Sequence, residues 1–213
     1  MKVMMDTNIW IEKQKIASTI SAFAWRDQGR WTELRAVFAE QATIAVSWYS
    51  GSIEGFIAAS MNMASQGKAQ TKHLIGVPRI SVCDERALAE TDIVIMIRTS
   101  VGPLEVDVTS YARFFDRLQR DPMGNWKILS RVAVYEKDRI DPVGSSVLFW
   151  LINRLADYGK YPKELRHLAY GLERKGSKLA PGIVTSYSSQ EQRLKSDALA
   201  WLGGEEEGEA MLP

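Results

Sequence analysis

The chain has 213 residues, 46% of them hydrophobic and 25% charged, with one cysteine and a formal net charge of +1. That length supports one well-buried domain plus an appendage, and the near-zero charge excludes a bulk electrostatic pull on nucleic acid or anionic membrane. With Cys83 alone no internal disulfide is possible, the first six residues lack a secretory apolar stretch, and no run of about 18 apolar residues could span a bilayer. The expectation is a soluble, cytoplasmic protein.

Taken along the chain, the first element is a helix. Asp6 or Thr7 can cap it, and Ile9, Ile16, Ile20 and Phe23 recur at helical spacing before Gly29 stops it. Asp27 stands four residues beyond Phe23 and so continues the apolar stripe rather than the solvated face. A carboxylate there is costly to bury without a partner. The plainer role for it is a helix-end group bonded to the turn at 29–31. Thr32 caps a second short helix carrying Leu34, Val37 and Phe38. A brief strand follows over 43–49, and Ser52 opens a third helix reaching Met61 or Met63.

Four β stretches come next, over about 70–83, 86–100, 104–120 and 125–138. Each is long for a strand, which implies a curved sheet with bulges, and Pro78 marks a bulge or an edge within the first. Short turns at Asp84-Glu85, Gly102-Pro103 and 121–124 make the four an antiparallel meander. The unalternated run Ile93 to Ile97 predicts a strand covered on both faces. Helices followed by an antiparallel sheet describe an α+β layer in which helices close one face over a pocket.

From Pro142 the pattern changes. A helix is predicted over 147–155, a break at 158–162, a second helix over 163–175 stopped by Gly176, and a last helix capped by Ser188 or Ser189 and ending near Gly204. Residues 160–178 hold six Lys/Arg against two Glu, an ordinary solvated face. The acidic run 205–209 reads as a disordered tail over 205–213. Trp150 and Trp201 suggest that the extension docks on something apolar, either as a lid on the pocket or as an oligomer contact.

His73 is one of only two histidines, and it opens the β-rich stretch. Asp27 and His73 on apolar faces of neighbouring elements can form an acid/base dyad, because the carboxylate fixes the imidazole tautomer and raises its basicity. The plainer reading of His73 is a satisfied core histidine. Arg131 can likewise be read as a structural ion-pair partner of Asp27, Glu136 or Asp138. By simple alternation Arg131 shares a face with Leu129, Ala133 and Tyr135, opposite Ile128 and Val132. No glycine-rich phosphate loop, serine elbow, or haem, flavin or pyridoxal signature occurs, and two histidines 94 residues apart suggest no zinc site. No cofactor or metal is expected.

The segments D27-Q-G-R-W-T-E-L-R-A-V-F38, T71-K-H-L-I-G76, W126-K-I-L-S-R131 and Y135-E-K-D138 resemble the SnoaL-like branch of the NTF2-like superfamily, nearest to scytalone dehydratase and the bile-acid dehydratases. The resemblance covers about residues 8–141, with a helical extension over 142–204. It implies a cone-shaped α+β barrel, a hydrophobic pocket, and a homodimer or homotrimer. It also implies that Asp27 orients a catalytic His73, that Trp48 or Tyr49 occupies the place of a pocket tyrosine, and that Arg131 lines the cavity. The first-helix tyrosine of those enzymes is replaced here by Ala22, Phe23 or Arg26. Their second ionisable pocket group falls near Ile97 or Arg98. Arg131 or Arg98 would stabilise an enolate, and Tyr49 or Tyr111 would donate a hydrogen bond.

The reading is therefore a cofactor-independent lyase or isomerase acting on a hydrophobic, oxygenated small molecule. Two alternatives stand beside it. One is a non-catalytic binding protein, and the other a structural subunit similar to the small subunit of ring-hydroxylating dioxygenases.

Overall fold

A computed structural model describes residues 7–67, 70–144 and 147–204, with the side chains of Thr7 and Ile152 excepted. Helix α1 (Thr7–Ser21) tightens into a 3₁₀ segment (Ala22–Gln28), followed by α2 (Trp31–Ala36). Gly29, at φ 67°, ends the 3₁₀ segment in the left-handed region that a residue with a Cβ enters only at a cost. Strands β1 (Phe38–Val46) and β2 (Tyr49–Ser52) lead into α3 (Ile53–Ser65), capped by the Ser52 side chain accepting from the Gly55 N–H. Then come β3 (Gln70–Ile75), β4 (Arg79–Cys83), β5 (Arg86–Val101), β6 (Leu104–Arg120) and β7 (Trp126–Pro142). The chain continues through α4 (Val147–Leu155), α5 (Arg166–Arg174), β8 (Val184–Thr185) and α6 (Ser189–Leu202).

The strands form one open, curved α+β sheet ordered β2-β1-β7-β6-β5-β3, with β4 also on β5 and β8 also on β7. The expected meander is present: β3 and β4 each pair antiparallel with β5, β5 with β6, and β6 with β7. Pro78 lies between β3 and β4 and divides the stretch predicted as one strand. The strand predicted over 43–49 is two, paired antiparallel, and β1 also joins β7 in parallel. The second helix starts one residue before Thr32, and that over 163–175 is shorter at both ends. Asp6 and the tail at 205–213 lie outside the described residues.

Two bulges in β7 decide which side chains look inward. Leu118 pairs with Ile128 and Arg117 with Ser130, which leaves Leu129 extra; Ala112 pairs with Tyr135 and Tyr111 with Lys137, which leaves Glu136 extra. Each extra residue offsets the alternation by one. Ile128 therefore shares the concave face with Ala133 and Tyr135, while Leu129 and Val132 pack on the convex face, a correction to the alternation expected around Arg131. The run Ile93 to Ile97 also differs from expectation. Ile93 and Ile95 are buried but Met96 is exposed, and both faces are covered only near Ala87, Leu88 and Ala89.

The segments beyond Pro142 share cores with the sheet. Leu165, Leu168 and Leu172 join the principal core, Phe149 packs on Val101 and Val106, and Ala198 and Trp201 pack on Leu88, Phe115 and Val134 behind the sheet. Helix α5 has no side-chain cap of its own. Instead Asp138 on β7 accepts from the His167 and Leu168 N–H groups at 2.7 and 2.8 Å, satisfying first-turn donors and meeting the positive end of the helix.

Under the concave face, Arg131 and Asp116 sit directly opposite each other on β7 and β6, both 0% exposed. Nε and one Nη of Arg131 donate to the two carboxylate oxygens at 2.7 and 2.8 Å. The pair is ringed by Phe114 and Phe23, with the guanidinium carbon 4.2 and 4.9 Å from their ring centres. Removing one partner strands a charge in that apolar bed. Asp116→Ala is predicted to cost about 3–5 kcal/mol, whereas Asp116→Leu combined with Arg131→Met recovers most of it. Urea denaturation of the three proteins checks this, and a single variant as stable as the double would refute it.

Candidate functional site

The 3₁₀ segment brings Asp27 against β3. His73 is the inward residue of β3, flanked by outward Lys72 and Leu74 as strand alternation requires. Asp27 Oδ2 accepts the His73 backbone N–H at 2.6 Å, and Oδ1 lies 2.7 Å from His73 Nδ1. An ionised carboxylate can only accept, so Nδ1 carries the proton and Nε2 is left as the basic atom. Phe23 packs edge-on against the imidazole, with 5.4 Å between ring centres. The turn-bonded alternative for Asp27 does not occur; its carboxylate is committed to His73.

Burial pushes the Asp27 carboxyl up, but its bonds from His73 and the nearby charges outweigh this and hold it below the usual range. His73 is also lowered. Burial is the largest cause, the Arg26 and Arg131 charges add to it, and the bond and charge of Asp27 oppose it. The result is a neutral imidazole beside an ionised carboxylate at neutral pH.

His73 lines a narrow cavity of about 70 Å³, walled by Phe23, Trp48, Phe56, Ile95, Ile97 and Phe114 and closed by Leu168 and Leu172 of α5. A second cavity of about 190 Å³ abuts it, sharing Arg26, Met63, Thr71 and Leu172. Tyr135 also lines the narrow cavity, and its hydroxyl oxygen accepts the Ser47 N–H at 2.7 Å. Burial raises the phenol's pKa, keeping it neutral, so its own hydrogen remains to donate.

The residues expected to line the site divide. Asp27, His73 and Trp48 come together at the cavities. Tyr49 packs behind Phe56 and donates to the Ser52 carbonyl at 3.0 Å. Arg98 pairs with Asp107 at 2.8 and 2.9 Å and borders only a shallow open depression. Tyr111 lies on the outer face of β6, its ring 5.1 Å from the Lys137 ammonium. Both belong to the outward set, because residues 93, 95 and 97 point inward and Tyr111 pairs with Val94. Arg131 is bonded to Asp116, not to Asp27, Glu136 or Asp138. Sequence reasoning missed Tyr135 as a donor and Ser47, offered the lid on the pocket only as one of two roles for the extension, and named Arg26 only as one of three residues at the place of a tyrosine. The apolar setting F23-A-W-R26 was the available signal for Arg26. Among the described residues no cluster of three or more His, Cys, Asp or Glu could hold a metal ion. Among the described residues no helix is long and apolar enough to cross a membrane.

A depressed His73 pKa implies a sign. Below the unfolded value near 6.5 the unfolded chain protonates first, so stability from the neutral ring is present above that pH and lost as pH falls toward the folded value. NMR titration is expected to show His73 protonating below the ordinary value, and lower again in Asp27→Asn, where the raising contributions are gone. A His73 that titrates identically with and without the carboxylate would break the pair.

Residues 13–132 match the SnoaL-like domain family. A search of curated proteins finds no match. Three solved structures share the architecture. A candidate scytalone dehydratase from Novosphingobium aromaticivorans is 18% identical with a TM-score of 0.52, covering 67% of this chain and 99% of its own. A hexachlorocyclohexane dehydrochlorinase, LinA type 2, is 14% identical with a TM-score of 0.51, covering 67% and 95%. A Mycobacterium tuberculosis protein of unknown function is 13% identical with a TM-score of 0.51, covering 84% and 99%. At these identities the likeness concerns the fold. With the matched segment spanning more than half of the residues and the curved sheet closed by helices, the chain belongs to the SnoaL-like domain family and has its NTF2-like, cone-shaped α+β fold.

Proposed function

We propose that the protein is a cofactor-independent lyase or isomerase in which neutral His73, held by Asp27, takes a proton from a carbon next to a carbonyl. The observation that carries this reading is the 2.7 Å Asp27–His73 contact at the wall of a narrow, mainly apolar cavity. The C–H electron pair moves into the adjacent carbonyl to give an enolate, and the proton goes to Nε2. The Tyr135 O–H donates to the enolate oxygen, where charge develops. The imidazolium then gives its proton either to a departing hydroxyl, which leaves as water, or to another carbon of the enolate. The first outcome is a syn elimination, the second an isomerisation. Asp27 stabilises the imidazolium in between without itself taking the proton.

The walls of Phe23, Trp48, Phe56 and Phe114 suit an apolar body, and the names of two matching structures, a dehydratase and a dehydrochlorinase, support elimination as the class. Binding without turnover is the second reading. Ile97 at the cavity favours it, since the resemblance puts an ionisable group near that position. Exposed Leu74 and Met96 on the outer faces of β3 and β5 support self-association as a homodimer or homotrimer. Light scattering at the monomer mass would remove that part.

A positioned base contributes about 10²–10⁴-fold. With a panel of apolar β-hydroxycarbonyl compounds, His73→Asn and Asp27→Asn are each expected to lose turnover in that range while melting confirms their folding. The kcat/KM of the wild type should fall as pH drops through the depressed His73 pKa, because only the neutral ring accepts a proton. Undiminished turnover in a folded His73→Asn protein sinks the mechanism. Binding with no turnover in the wild type favours the second reading.

A further inference from the structure

The base reading leaves Arg26 unused. It stands beside Asp27 on the 3₁₀ segment and lines both cavities, with a side chain only 12% exposed. A largely buried guanidinium ordinarily finds carboxylate or carbonyl partners, as Arg131 does with Nε and one Nη on Asp116. Arg26 does not. Its Nε reaches only Ser60 Oγ, at a long 3.4 Å. Its Nη1 stands 3.8 Å from Asp27 Oδ1, an oxygen already bonded to His73 at 2.7 Å. Neither Nη donates a hydrogen bond to a described residue.

The surroundings of the guanidinium are largely aromatic. The Arg26 guanidinium carbon lies 5.7 Å from the ring centres of both Trp48 and Phe56, so two aromatic walls face the cation. Burial lowers its pKa against the pull of Asp27, as expected of a cation short of partners. In the wider cavity the one carboxylate of the lining is Asp27, beside Arg26. The free donors form the planar fork that fits two oxygens at once.

We propose that Arg26 anchors an organic carboxylate, whose two oxygens take the Nη1 and Nη2 donors while its apolar body lies along Trp48 and Phe56 toward His73. This deepens the reading above and rests on the same cavity being the reaction site. It narrows the substrate class from apolar oxygenated molecules to apolar acids.

The test is a matched-pair titration at about pH 7.5 of benzoate, cinnamate and naphthoate, each against its own carboxamide. It is read at the His73 ring by NMR and by tryptophan fluorescence. The wild type is expected to hold each acid at least about tenfold tighter than its amide. Arg26→Met should abolish that preference while amide binding survives, and Arg26→Lys should restore part of it. Equal affinity for acid and amide in the wild type overturns the proposal, as does a preference that persists in Arg26→Met. Failure of every acid to move the His73 signal, or an effect reproduced by chloride at matched ionic strength, overturns it too. Should Arg26→Met fail to fold, the wild-type comparison still decides. Turnover in His73→Asn tests the base and acid preference tests Arg26, so each can fail without the other.

Discussion

Strands of 16, 17 and 17 residues cannot lie flat, because right-handed twist accumulates along them, and this molecule is organised by the curl that results. Curling gives β5, β6 and β7 a concave and a convex face, and each carries apolar side chains that must leave water. Helices from both ends of the chain do the covering. Ile16 and Ile20 of α1, Phe56 of α3 and Leu168 of α5 fill the concave side, while Ala198 and Trp201 of α6 cover the convex side. Helix α6 is held by charge as well as packing. Arg113 bonds Glu90, Glu136 and Glu191, and Lys195 bonds Glu90 and Glu191. Glu136 is the extra residue of a β7 bulge, so a device that bends the strand also supplies a ligand for the helix behind it.

Polar groups inside the cone differ in what their partners leave over. Arg131 and Asp116 bond each other bidentately, with the second Nη of Arg131 buried and unpartnered among the described residues. The Tyr135 oxygen accepts from Ser47 but its own hydrogen is uncommitted. At the level of Asp27 both carboxylate oxygens serve His73, leaving Nε2 without a protein role, and Arg26 is left with its terminal donors. Buried polar atoms usually find partners within the protein. Here His73, Tyr135 and Arg26, each with a polar atom that no described residue engages, border adjoining cavities, an arrangement suited to a ligand.

Much of this was legible in the sequence, and the limits have physical causes. The meander could be read because turn residues at Asp84, Gly102 and Asp121 punctuate long apolar stretches. Asp27 stood out because a carboxylate on an apolar helical stripe demands a partner, and the structure supplies His73. The faces of Arg98 and Tyr111 were misjudged because strand phase depends on pairing register, which a sequence does not display. Arg131 was grouped rightly with Ala133 and Tyr135 opposite Val132, but Leu129 and Ile128 were exchanged because the bulge at Leu129 is a backbone event with no fixed side-chain signature. Arg26 could not be singled out from Ala22 and Phe23 because a 3₁₀ turn carries three residues rather than 3.6, so an α-helical wheel misplaces its neighbours.

The closing of the cavity by α5 has a consequence for biosynthesis. Its walls run from Phe23 to Tyr135, yet the leucines that seal it are Leu168 and Leu172, more than 30 residues later. At about 5–20 residues per second, a ribosome leaves roughly 2–7 s between making the last wall and making the seal. For that interval the nascent chain holds an unroofed apolar bowl, a surface that invites chaperones or other nascent chains. Any ribosomal stall between Pro142 and Leu165 would leave the bowl open, so codon usage across that interval bears on yield as much as the stability of the finished fold does.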